Sequence, residues 1–134
     1  MASANVELVR CIFAAYERGD YSSAEWADPE IEFVVADGPD AGSWVGLAAM
    51  ADAWRRRLSA WTDIRGTVDE YRELDDQRVL VFHRRGGRGK TSGLDLTQMQ
   101  TEGAALYHVR DGKVKRLVVY WERERALADL GLPS

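Results

Sequence analysis

The stretch DLTQMQTEGAALYHVRDGKVKRLVVYW, Asp95–Trp121, decides the fold. It reads as a long strand, an Asp111-Gly112 turn and a second strand ending in Tyr120-Trp121. Asp-Gly between two alternating runs favours a tight primed turn, because both central residues tolerate positive φ. In the return strand Val114, Val118 and Tyr120 fall on one side, and Leu117, Val119 and Trp121 on the other. Apolar residues on both faces predict a sheet covered on one side and docked on the other. The hairpin is expected to form the back wall of a pocket.

Working outward, 134 residues make one domain, 1–134, large enough to bury a core without a disulfide or metal staple. A net charge of −4 argues against a nucleic-acid partner, which would call for a basic excess. Arg55-Arg56-Arg57 and the run Arg84–Lys90 are local exceptions of the kind that usually form solvated faces or turns. The lone Cys11 rules out an intramolecular disulfide and a cysteine metal cluster, which suits a reducing cytoplasm. No apolar run approaches the ~20 residues of a membrane span. The N-terminus lacks a secretion signal, so a cytoplasmic location and no membrane partner are expected.

Toward the N-terminus, Val6, Val9, Phe13 and Tyr16 recur at helical spacing over Asn5–Arg18, with Ser3 or Asn5 as cap and Gly19 as stop. Cys11 projects away from that stripe as a surface or interface thiol. Ser22-x-x-Glu25 predicts a short helix through Trp26, ended by Asp28-Pro29. Ile31–Asp37 alternates as a strand with Ile31, Phe33, Val35 and Asp37 on one face. Gly38–Gly42 is a loop by composition, and Gly46–Trp61 is the clearest helix, its stripe running through Leu47, Met50, Trp54, Leu58 and Trp61.

Ile64–Leu74 has strand-forming residues at irregular apolar spacing and predicts a strand with a bulge. In Arg78–Arg85, Val79, Val81, His83 and Arg85 alternate with Leu80, Phe82 and Arg84. Gly86–Gly93 reads as a basic hairpin loop, without the strand-then-helix context of a phosphate loop. Glu122–Leu130 is a closing helix with Gly131 as its C-cap and Pro133 beyond. This order predicts an α+β fold: a curved, mostly antiparallel sheet with helices on its concave face, enclosing a conical pocket.

NVELVRCIFAAYERGDY at the start, DPEIEF before the first strand and VRDGKVKRLVVYWERERALADLGL at the end carry a resemblance. Together they resemble the nuclear-transport-factor-2-like superfamily, and within it the SnoaL-like (polyketide-cyclase-like) proteins, over essentially the whole chain. The resemblance implies the cone-shaped fold. It does not by itself imply one activity, because the superfamily holds ketosteroid isomerases, scytalone dehydratases, epoxide hydrolases, polyketide cyclases and non-catalytic subunits.

By resemblance, Asp37 takes the place of the isomerase base, but Ile12 and Ala105 stand where that enzyme has its oxyanion donors. His83 takes the place of the dehydratase histidine, with Ala14 at the position of its orienting aspartate. Asp95 and Arg85 are the residues available for an epoxide-hydrolase pair, at uncertain register. An acidic residue combined with a histidine, as in SnoaL-type cyclases, is the closest chemical fit.

His83 and Asp37 are the candidate catalytic pair, since strand alternation puts both on the concave face and a carboxylate can fix a histidine tautomer. Against this, a histidine in a pocket wall is often simply satisfied by a backbone carbonyl, and a carboxylate at a strand end often caps a turn. Arg85 is a candidate for pairing with Asp37 or holding an anionic ligand group. Tyr107 and Trp121 are candidates for pocket wall and hydrogen-bond donor, or for aromatic core filling. Tyr16, Trp26, Phe33, Val35, Trp54, Val81 and Val119 are the further candidates for binding a ligand.

His108, one step after Tyr107, should face the opposite side, as interface or surface. No metal-ligand spacing is present, so no metal and no cofactor are expected. Two functions follow: cofactor-free acid–base chemistry (cyclisation, dehydration or isomerisation) on a small apolar polycyclic or aromatic molecule, or a non-catalytic ligand-binding or dimerisation module. Either version is expected to form a homodimer through the exposed sheet face, with Val118 and Tyr120 in the contact.

Overall fold

The computed structural model describes residues 4–17, 25–37, 41–59, 61–89 and 101–132, without the side chains of 16, 17, 57–59, 61–66, 85–89 and 101. Ser3, Gly19, Ser22, residues 38–40, Gly93, Asp95 and Pro133 lie outside the described residues, as do the side chains of Tyr16, Leu58, Trp61 and Arg85. The described elements are α1 (Ala4–Glu17), β1 (Ala27–Val35), β2 (Gly42–Val45), α2 (Leu47–Ser59), β3 (Trp61–Glu73), β4 (Arg78–Gly89), β5 (Thr101–Arg110), β6 (Lys113–Tyr120) and α3 (Arg123–Leu130). The strands form one curved, unclosed sheet in the order β2-β1-β6-β5-β4-β3. Every neighbouring pair is antiparallel except β1 and β6.

The β5–β6 hairpin organises the sheet as its sequence predicts. Asp111 and Gly112 both take positive φ, 53° and 74°, and so reverse the chain with a twist that matches the strands. Its register carries Val35, Val119, Ala105, Val81 and Tyr71 into one row across five strands. A register shift between His108 and Val109 adds a bulge. The bulge brings Val114 onto the same inner cluster as Leu117, not onto the Val118 side as strict alternation had it.

The inner face is covered by α1 through Val6, Val9, Ile12 and Phe13, and by α2 through Met50, Ala53 and Trp54. α1 is tied to the β3–β4 turn, where the Asn5 side chain donates to the Asp76 carbonyl at 2.7 Å instead of capping its own helix. Cys11 is exposed on the far side of α1. Irregular pairing at Thr62/Arg65 and Val68/Glu70 accounts for the uneven spacing in β3.

The terminal helix does something different. α3 packs on the outer face, where Ala126 and Leu127 cover Leu80, Phe82, Ala104, Leu106, Val118 and Tyr120. Val118 and Tyr120 are each only 5% exposed. They cannot serve as an exposed dimer face, because the chain has already spent that apolar surface on its own helix. α3 ends as expected, with Gly131 in the left-handed region at φ 67° and its N–H donating to the Ala128 carbonyl.

Three other expectations change. Glu25 and Trp26 form a turn and β1 already starts at Ala27, so Asp28-Pro29 lies inside a strand and does not end a helix. The β1 register shifts between Ala27 and Glu32, which leaves a place where proline's missing N–H breaks no ladder bond. Lys115 pairs with Asp28 there, Lys113 bonds the Glu25 carbonyl, and Val114 N–H donates to the Trp26 carbonyl.

Residues 42–45, read as loop end and helix approach, form the edge strand β2. Gly46 then turns at φ 96°, with its N–H on the Ile31 carbonyl. Finally, β4 continues through Gly89 opposite the long β3, so the first half of the expected Gly86–Gly93 loop is strand. Ladder pairing outweighs the low strand propensity of glycine there.

On the outer face, register aligns Glu32, Arg116, His108 and Arg78 across four strands. Arg116 pairs with Glu32 at 2.6 Å and Arg78 with Asp75 at 2.7 Å. His108 is half-buried between the two arginines. Its pKa is lowered, first by desolvation and then by Arg116 and Arg78, against smaller upward pulls from Asp75 and Glu32. A histidine held neutral when folded but free to protonate near 6.5 when unfolded favours the native state above that pH. Thermal stability is expected to fall as pH drops from 7 through about 6. His108→Gln should flatten that part of the profile in melting curves taken across the range.

Candidate inner-face site

Among the described residues, the inner face buries one imidazole, His83, alongside the phenol of Tyr107. His83, on β4, is 4% exposed and, among the described residues, is the one polar or charged side chain fully buried in the core. Its ring lies 6.3 Å from Phe13 on α1, and Phe13 in turn meets Tyr71 and Tyr107 edge-on at 6.3 and 6.0 Å. The imidazole has room because its cross-strand partner on β5 is Gly103. A Cβ at that position would stand 2.8 Å from His83 Cε1 and 2.6 Å from the Tyr120 carbonyl oxygen. A glycine inside a strand is the one sequence signal that marks such a close approach, and the sequence reading did not use it.

From the other side of the sheet, Arg123 at the start of α3 donates to the His83 carbonyl at 3.3 Å. It is held there by Asp69 at 3.0 Å and by the Phe82 ring, 4.9 Å away. Asp69 also takes Arg84 at 2.8 Å. The hydrogen bonds from Arg84 and then Arg123 hold the Asp69 carboxyl below its usual range.

A second aromatic group lies on β1, β2 and α2. Phe33, fully buried, faces Trp44 at 5.7 Å and Trp54 at 5.9 Å, both rings tilted about 30° to it. Trp44 and Phe13, like Gly103, were not singled out as site residues from sequence. Among the expected lining residues, Phe33, Val35, Val81, Tyr107 and Val119 belong to the inner cluster, and Trp26, Trp54 and Trp121 pack against it. Tyr16 and Arg85 have no described side chain.

Asp37 sits at the rim. Its two carboxylate oxygens accept the backbone N–H groups of Trp121, at 2.6 Å, and Glu122, at 3.2 Å. It thereby fixes the point where β6 leaves the sheet for α3. Trp121 has its indole N–H buried and, among the described residues, without a hydrogen-bond partner. Ile12 and Ala105, at the isomerase donor positions, are buried apolar residues, and Ala14 is exposed on α1. No described helix is long and apolar enough to cross a membrane. No group of three or more His, Cys, Asp or Glu able to hold a metal occurs among the described residues.

Residues 9–117 match the model of the SnoaL-like domain. The chain belongs to the SnoaL-like family. Solved structures similar to this SnoaL-like chain share its fold along nearly its whole length. TerC, co-crystallised with polyporic acid, is 21% identical with a TM-score of 0.75, over 96% of this chain and 98% of that one. An NTF2-like protein of unknown function from Burkholderia pseudomallei is 17% identical with a TM-score of 0.78, over 95% and 97%. A candidate polyketide cyclase from Xanthomonas campestris pv. campestris is 22% identical with a TM-score of 0.68, over 93% and 95%. No curated protein matches the SnoaL-like chain.

Proposed function

We propose that this SnoaL-like protein binds a small, largely apolar molecule with a planar aromatic part against its inner face. We further propose that His83 moves a proton on that molecule without a cofactor, in a cyclisation, dehydration or isomerisation. The observation that carries this reading is the burial of an ionisable imidazole on the inner face, beside Phe13. An imidazole there is suited to take a proton from a carbon acid or hydroxyl and return it to the same molecule. The aromatic groups around Phe33 and Phe13 pack on one another beside this face and support an aromatic ligand as the reading. TerC, crystallised with polyporic acid, makes that compound the first probe to use.

A second reading, a ligand-binding module without chemistry, draws support from Asp37. Both of its oxygens are engaged by backbone N–H groups, which gives it a structural task of its own. The two readings separate on one experiment. Binding is followed by quenching of the five tryptophans, beginning with polyporic acid, and turnover of any bound compound by chromatography. Catalysis predicts that His83→Ala keeps binding and lowers turnover by about 10²–10⁴-fold. No turnover of any bound compound by the wild type would leave only the module, and equal turnover in wild type and variant would exclude His83 as the proton carrier.

A further inference from the structure

We infer that the indole N–H of Trp121 is a hydrogen-bond donor for an acceptor oxygen of the ligand, such as a carbonyl. This rests on the ligand reading above and adds to it a residue and a chemical requirement. Trp121 packs against the inner cluster, yet its indole nitrogen is buried and meets no acceptor among the described residues. Buried donors are nearly always paired, and one left alone costs roughly 1–3 kcal/mol. An acceptor arriving with the ligand would remove that cost.

The position of Trp121 supports this assignment. It directly follows Tyr120, which pairs with Ala104, while His83 pairs with Gly103. The imidazole, on β4, and Trp121, just past the end of β6, therefore lie on either side of Gly103 of β5, over which the imidazole leans. Asp37 pins the Trp121 backbone, so the indole is carried on a fixed anchor.

The test compares fluorenone with fluorene, equal in shape but differing by the carbonyl. Wild type is expected to bind fluorenone roughly ten-fold more tightly, the usual worth of one such hydrogen bond. Trp121→Phe should erase the preference, lowering fluorenone affinity to that of fluorene in the same variant. In the unaltered protein, the Trp121 indole N–H cross-peak should move with fluorenone and stay with fluorene. That readout does not depend on the variant folding. Equal affinity of wild type for both compounds, or a preference that survives in Trp121→Phe, would overturn the inference while the ligand reading stands. Binding of neither would remove the ligand reading and the inference together.

Discussion

Phe33→Ala is expected to destabilise the protein by about 3–5 kcal/mol, the range for truncating a fully buried phenylalanine. Phe33 is 0% exposed and joins three elements at once. It sits opposite Trp44 of β2 and Leu117 of β6 in register, and its ring faces Trp54 of α2. Removing it takes away a ring's worth of burial and leaves two tryptophans without their common partner. The stiff strands on either side have little freedom to close the gap, so the cavity term should be near its upper end. Urea denaturation measures the loss, and Phe33→Leu, which keeps most of the volume, should cost well under half as much. A loss below about 1 kcal/mol for the alanine variant would mean that α2 and β2 are not held through this residue.

Gly103→Ala is expected to cost on the order of 1–3 kcal/mol and to displace His83. The added Cβ meets two atoms of unequal give. His83 Cε1, at 2.8 Å, belongs to a side chain that can rotate; the Tyr120 carbonyl, at 2.6 Å, belongs to the backbone of a neighbouring strand and cannot. Part of the strain should therefore vanish in the His83→Ala background and part should remain, a non-additivity that a double-mutant cycle reads directly. If His83 performs the proposed proton transfer, a shift near 1 Å is enough to lower turnover about 100-fold even in molecules that stay folded. Full additivity, with the imidazole unmoved in a crystal of the variant, would show that the glycine is not what seats the ring.

Much of this was legible before any coordinates. Alternation in Ile31–Val35 and Val79–His83 announced which side chains share a face, and they do, because a side-chain period of two sends neighbours to opposite sides of the sheet. Asp111-Gly112 announced the hairpin through its tolerance of positive φ. What misled were segments whose local preference lost to long-range pairing. GSWV is too short to signal a strand but is held by β1, and the glycines after Arg85 are weak strand formers held by the long β3. Asp28-Pro29 resembles a helix stop, yet it fits a bulge in β1.

The amino-acid sequence alone determined the family, through motifs spread along the chain, and the hairpin and the strand face that carries His83, which depend on residues a few positions apart. Only the tertiary structure decided that α3 covers Val118 and Tyr120, that Gly103 lies beneath the imidazole, and that Asp37 meets backbone groups some 84 residues away. Those contacts depend on the register between strands, which comes into being when the sheet assembles and is written in no single stretch of chain.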